Sequence, residues 1–306
     1  MSTVAVAGIV NLRVALPVDT FPVPYLSSRR LPGRISLRLS GVGWTAASTL
    51  RTLGSEVVFA TYLGHDLAGL TAAAGLREQG LLGPATLYTE HLPRAVVLYD
   101  TTGRRAGSTD LRDTTTASYP PEVFSAALDQ AGRCDLALLT NINFTRPLIP
   151  VAVDRGIPIA TDLHLVTDVD SAHNQDWMRV AHILACSHER LPLPPTNWIR
   201  AIWRRYGTPL VLVGAGERGA LLGVRETGTI WSVEATTPRG VHYTSGAGDT
   251  LLATFTHYYA RTGDPVAAVR HACLAAGWKI GGQPDEPIAI TPQVLASLVL
   301  PDVSPL

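Results

Sequence analysis

The chain has 306 residues, 46% of them hydrophobic and 16% charged, which suits one large α/β domain or two small ones and excludes a disordered chain. Lys plus Arg balance Asp plus Glu at 25 each, so the basic excess expected of a nucleic-acid or membrane-surface binder is missing. Three widely spaced cysteines, Cys134, Cys186 and Cys273, form neither a disulfide framework nor a zinc pattern and read as small buried hydrophobes in a reducing compartment.

Met1-Ser2-Thr3-Val4 carries no basic n-region, and no apolar run reaches about 18 residues, so the expectation is a cytoplasmic protein without a transmembrane span. The sequon Asn143-Phe144-Thr145 then reads as chance. A first strand is predicted over 4–10. Residues 12–40, rich in Pro and Arg with short alternating runs, break the pattern that follows. A helix over 43–53, a strand over 56–63 and a helix over 68–79 come next. Residues 85–108 read as two more antiparallel strands with a turn at Thr102-Gly103-Arg104. Then come a helix over 121–131, strands over 135–142, 157–161 and 182–185, a helix over 197–206 and a strand over 209–213. Several strands are apolar nearly throughout, as strands covered on both faces are. The rhythm predicts a doubly wound, mostly parallel α/β sheet flanked by helices. The two interruptions, approximately 12–40 and 85–110, are read as insertions forming a small β lid on a single domain spanning 1–306. The tail after Thr291-Pro292 reads as a capped final helix.

The richest stretch is Thr244-Ser245-Gly246-Ala247-Gly248-Asp249, running into an amphipathic helix with Leu251, Leu252, Phe255, Tyr258 and Tyr259 at helical spacing. A Gly-Ala-Gly turn leaves backbone N–H groups open at a helix N-terminus, which is an anion site. Asp249, in the first turn, is placed to accept the proton of an attacking hydroxyl; an Asp that merely caps a glycine-rich turn is the competing reading.

Gly246-Ala247-Gly248-Asp249 resembles the C-terminal signature of the ribokinase-like (PfkB) carbohydrate kinase family. The resemblance extends along the chain. Gly8-Ile9-Val10-Asn11 followed by 18–24 is similar to the opening strand and first lid entry. Ser40-Gly41-Val42-Gly43-Trp44-Thr45-Ala46-Ala47 resembles the N-terminal Gly-Gly signature. Residues 62–69 resemble the Gly-x-Asp-x-x-Gly turn, and 213–220 resemble the strand and loop lining the nucleotide.

The resemblance implies an ATP-dependent phosphotransferase acting on a hydroxyl of a sugar, sugar acid or nucleoside. Asp249 would be the base, and Gly246, Ala247 and Gly248 would form the anion hole. Asn11, Arg13, Gly41, Gly43, Thr45 and Asp162 would face the acceptor. Gly214, Gly216, Gly219 and Thr244 would line ATP, and Glu189 would act near Mg²⁺. A homodimer joined through the lid is a further expectation. Alternatives are a catalytically impaired ligand sensor and a vitamin or pyrimidine kinase; the lid insertions favour the sugar and nucleoside branch.

Departures bear on the acceptor. Arg13 stands where the family carries an Asp, Thr45 where it carries an Asn, Cys186 where it carries the Asn of Asn-x-x-Glu, and Tyr243 where an Asp is frequent. Arg13 either holds an anionic acceptor group or turns to solvent and Asp19. Trp44 either stacks on a ring or packs beneath the lid.

Gly214-Ala215-Gly216-Glu217-Arg218-Gly219 is a literal G-x-G-x-x-G, but a strand, not a helix, is predicted after it, which argues against a dinucleotide fold. Asp162, His164, Asp168, Asp170 and His173 match no defined metal cage and read as a polar loop at the edge of a site.

Overall fold

Val4 and Val6 face one side of the first strand, β1 (Thr3–Ala7), and Ala5 and Ala7 face the other. All four are fully buried in the computed structural model, which describes residues 2–102, 104–287 and 289–306. A strand buried on both faces requires helices on both sides of its sheet. The first half of the chain continues with β2 (Asn11–Pro17), β3 (Ser36–Ser40), α1 (Val42–Thr52), β4 (Glu56–Gly64), α2 (Leu67–Glu78), β5 (Thr86–Thr89), β6 (Arg94–Tyr99), β7 (Arg105–Asp110) and α3 (Pro121–Ala131). Then come β8 (Leu136–Leu139), α4 (Leu148–Asp154), β9 (Ile159–Asp162), α5 (Gln175–Val180), β10 (Ala181–Ser187), α6 (Pro195–Tyr206) and β11 (Leu210–Gly214). The chain closes with β12 (Ala220–Val224), β13 (Thr229–Val233), α7 (Ala247–Thr262), α8 (Pro265–Ile280), α9 (Pro292–Ala296) and β14 (Val303–Pro305).

The main sheet has ten strands in the order β14-β13-β12-β11-β10-β9-β8-β1-β4-β5. From β5 to β11 every pairing is parallel; β11 to β14 pair antiparallel. From β1 the chain winds outward to β4 and β5 on one side and to β8 through β11 on the other. The winding reverses at β1 and β8, and open α/β sheets hold ligands in the crevice at the carboxyl ends beside such a reversal. Val4 and Val6 pack with Leu50, Leu76, Leu252 and Phe255 from α1, α2 and α7. Ala5 and Ala7 pack with Phe124, Leu128, Leu148 and Trp177 from α3, α4 and α5. Full burial of one such side chain contributes about 1.5–3 kcal/mol.

A second sheet has the order β3-β2-β6-β7. It comes from the two predicted insertions, with corrections. The β2–β6 pairing at its centre is parallel, not antiparallel. Thr86–Thr89, inside the second insertion, joins the edge of the main sheet as β5. Gly103, of the predicted turn, lies outside the described residues. The expected final helix is only the five-residue α9, capped by Thr291; the chain then forms β14 on the main sheet. A three-residue Val-Ser-Pro strand carries too little alternation to be visible in sequence. No helix among the described residues is long and apolar enough to cross a membrane.

Candidate active site

The N-terminus of α7 opens on the crevice. Gly246, its N-cap, has φ 83, a left-handed conformation that glycine adopts without steric cost. The Thr250 amide donates to the Gly246 carbonyl at 3.0 Å and starts the helix, while the Ala247 amide is directed to the Thr244 carbonyl at 3.3 Å. The amides of Gly246, Gly248 and Asp249 make no hydrogen bond among the described residues. They and the positive end of a 16-residue helix face open space. A Cβ on Gly248 would meet nothing closer than Asp162 Oδ2 at 3.8 Å; one on Gly246 would meet Lys279 Cε and Thr45 Cγ2, both at 3.9 Å.

Asp249 sits beside this cradle, half-buried, with Asp162 and His164. One ligand atom from each of the three lies within 4.8 Å of the others. His164 already pairs with Asp162: its backbone N–H donates to Asp162 Oδ1 at 2.7 Å, and its Nδ1 lies 3.4 Å from Oδ2. This hairpin-like contact holds His164 at φ 55. Burial works against charge on His164, yet the Asp162 carboxylate outweighs it and pushes the imidazole up to about 9. Burial opposes charge on Asp162 as well, and His164 nonetheless holds its carboxyl below the usual range. Asp249 has no such direct partner. Burial pushes it up to about 6, against the pull of His164 and with the help of the Asp162 charge; Arg105 and Lys279 pull it down.

One side of the site is lined by β2 and the loop before α7. Asn11 is buried and its Oδ1 has no hydrogen-bond partner among the described residues. Arg13, two residues on and on the same face, is neither in solvent nor paired with Asp19, which lies 3.6 Å from Arg29. It donates to the Pro284 carbonyl at 2.9 Å and lies 5.0 Å over the Tyr243 ring, its Nε unpartnered. Thr45 is buried in α1. Trp44 packs in the core, which decides its role as structural. At Gly41 and Gly43 a side chain would run into the chain's own backbone. A Cβ on Gly43 would lie 2.4 Å from the Gly8 carbonyl carbon, and one on Gly41, at φ 103, 2.6 Å from the Ile9 carbonyl oxygen. These glycines let α1 press against the turn between β1 and β2.

On the other side of α7, Gly214 ends β11 and Gly216 (φ 61) follows it, near His188, whose Nδ1 lies 3.0 Å from the Gly214 carbonyl. Gly219 (φ 83) closes the hairpin into β12; a Cβ there would lie 2.0 Å from the Val233 carbonyl oxygen. Thr244 is part-buried ahead of the cradle. Glu189 follows β10, exposed, and is not part of the Asp162–His164–Asp249 cluster.

No protein-family model matches the chain. Over 96 residues, 30% of its length and 30% of theirs, the chain is 35% identical to the deoxyribokinases of Salmonella typhi and Salmonella typhimurium. The match therefore spans under a third of these relatives. Among solved structures, a microbiome-derived acarbose kinase superposes with a TM-score of 0.86 at 22% identity, covering 97% of this chain and 98% of that one. The fold is that of ribokinase. An Arabidopsis thaliana ribokinase complexed with ribose and ATP gives 0.75 at 16% identity over 97% of this chain and 98% of that one. A Burkholderia thailandensis nucleoside kinase in complex with inosine gives 0.73 at 14% identity over 96% of each.

Within this ribokinase fold, the sequence placed His164 only in a polar loop at the edge of a site and gave Lys279 no role. His164 was visible only as one polar residue in a loop, because its pairing with Asp162 depends on the αL turn. Lys279 left a plainer signal: it is the only lysine in the chain, against 24 arginines. Lys and Arg are not interchangeable, the ammonium being a compact point charge and the guanidinium a planar fork.

Proposed function

We propose that the chain is an ATP-dependent kinase that transfers the γ-phosphoryl group of ATP to a hydroxyl of a sugar, sugar acid or nucleoside, with Asp249 as base. One observation carries the reading. Three unpartnered amides at a long helix N-terminus meet a carboxyl pushed up to about 6, at the carboxyl edge of a doubly wound sheet beside its switch point. The names of the curated relatives and structural neighbours, kinases of sugars and of a nucleoside, agree with it.

In this reading the acceptor hydroxyl donates to Asp249, which is ionised at neutral pH yet a better base than an ordinary carboxylate. The Gly246, Gly248 and Asp249 amides and the helix dipole take up charge on the phosphoryl oxygens. The buried, unpartnered Asn11 Oδ1 suits an acceptor hydroxyl as donor, which favours a polyhydroxylated substrate. Arg13, spent on Pro284 and Tyr243, has less to offer a carboxylate than its charge suggests. The four-stranded small sheet favours the sugar and nucleoside branch over a vitamin or pyrimidine kinase.

ATP would run along Gly214–Gly219 and residues 271–282, the C-terminal part of α8 and the turn after it. Glu189, exposed and with no side-chain partner among the described residues, is of the right chemistry to hold Mg²⁺ together with ATP oxygens and water. When bound, that ion draws charge from the phosphate oxygens. A cytoplasmic location and a homodimer through the small sheet, where Leu37 and Val96 are exposed, belong to the same proposal. The test is Mg-ATP turnover over a panel of sugars, sugar acids and nucleosides, with Asp249→Asn as control. Product with the wild type and a loss of about 10³-fold in the variant are expected. Tight binding of a panel compound with no product on any of them points instead to a ligand sensor.

A further inference from the structure

Lys279 is 7% exposed, near the C-terminal end of α8. Burial of an ammonium is costly unless a partner offsets it. Among the described residues its Nζ has neither a hydrogen-bond acceptor nor a carboxylate within salt-bridge reach. The nearby Glu286 is engaged by Arg239 at 2.7 Å, and Arg239 itself lies over Trp278. Two other cations, Arg13 and Arg239, crowd Lys279 and make its charge harder to hold. The Tyr243 ring lies 5.3 Å from Nζ, a cation–π contact. The side chain runs past the N-cap of α7, its Cε lying 3.9 Å from where a Gly246 Cβ would stand, and its charge interacts with that of Asp249 in the first turn, so the ammonium lies in the neighbourhood of the open amides. An unpartnered ammonium at the end of a buried side chain, beside three unpartnered amides, suits a compact, highly charged anion.

We propose that Lys279 is a catalytic residue that contacts the γ-phosphoryl group of ATP in the cradle at the N-terminus of α7 and stabilises the charge on its oxygens during transfer. This rests on the kinase reading of the same site. In the step itself, the acceptor oxygen forms a bond to the γ-phosphorus and its proton goes to Asp249. The bond from the γ-phosphorus to the β–γ bridging oxygen breaks, and ADP leaves with that electron pair. Lys279 stays protonated throughout.

The surroundings agree with this role. Burial pushes the ammonium down to about 8; Arg13 on β2 and Arg239 before α7 add to that, while Asp249 on α7 and Glu286 after α8 oppose it. Its charge is therefore present at neutral pH and is drawn to whatever anion enters. Arg, the basic residue used everywhere else in the chain, would bring a wide planar fork where a point charge fits.

The test uses the full-length protein. Lys279→Met keeps the length and apolar stem and removes only the charge. Relief of an uncompensated buried cation leaves the variant folded, with unchanged or higher thermal stability. In calorimetry its affinity for Mg-AMP-PNP falls about tenfold or more while that for Mg-ADP stays within about twofold, because only the former carries the terminal phosphoryl group. With an accepted substrate, turnover falls about 10²–10³-fold at little change in acceptor KM. Lys279→Ala regains part of its turnover with ethylammonium and none with ethanol. Wild-type AMP-PNP affinity and wild-type turnover in Lys279→Met overturn the proposal. So does a rise in acceptor KM alone, which would seat the ammonium on the acceptor. If the wild type phosphorylates nothing, the kinase reading fails, and the AMP-PNP and ADP comparison still reads on Lys279 by itself.

Discussion

Two pairs of glycines flank the crevice, and they are there for opposite reasons. At Gly41 and Gly43 a methyl group would overlap the backbone of Gly8 and Ile9 at 2.4–2.6 Å. At Gly246 and Gly248 the nearest atoms stand 3.8–3.9 Å away and belong to Asp162, Lys279 and Thr45. The first pair is architecture: it lets α1 dock on the turn after β1 and so fixes where Asn11 and Arg13 face. The second pair leaves backbone amides bare at the start of a long helix. Similar motifs in sequence thus divide into one that the fold consumes and one that it leaves free.

That contrast can be tested from both sides. The largest effect is expected at the centre of the open cradle, where Asp249→Asn lowers phosphoryl transfer by about 10³-fold without loss of thermal stability; an active Asn variant would falsify the role of Asp249 as base. Next comes Gly43→Ala, expected to cost about 3 kcal/mol in denaturant unfolding, since backbone rather than a flexible side chain must yield. Gly248→Ala is the counterpart. Its methyl makes only ordinary contacts, so stability should change by less than about 0.5 kcal/mol while turnover falls about tenfold as the cradle is partly covered. Equal destabilisation by the two alanines would erase the distinction drawn between the pairs.

The smallest effects are in pH dependence. Asp249 has a folded-state pKa of about 6 against an ordinary 3.8. A carboxyl with a raised value favours the fold while protonated, and that contribution is lost as pH rises through about 6. The stability advantage of Asp249→Asn over the wild type should therefore grow between about pH 4 and 6 and then level off. Turnover should rise across the same interval, since the base must be ionised. His164→Asn removes a cation that holds Asp249 down, so this limb should move to higher pH; Asn tolerates the left-handed φ of 55. An unmoved limb would separate His164 from the electrostatics of the base.

Legibility followed physical range. Alternation and apolar runs placed β1, β4, β8 to β12 and the helices α1, α2, α3 and α6 within a few residues, because local burial demands local pattern. They misplaced β5, whose four residues looked like the strands next to them, and missed β14. The helix start and its bare amides were readable from Gly-Ala-Gly before an amphipathic helix. That the backbone of Gly8 and Ile9 presses on Gly43 and Gly41 was not readable, because it depends on how α1 docks.

The sequence alone determined the doubly wound scaffold and the helix start at Gly246, since hydrophobic periodicity and glycine conformation are properties of neighbouring residues. Only the tertiary structure decided that Asp162 and His164 tune Asp249, that Arg13 is spent on Pro284, and that the sole lysine is buried at the cradle. Those facts come from side chains far apart in the chain sharing one poorly solvated crevice, where burial and neighbouring charge, rather than residue type, set what each group can do.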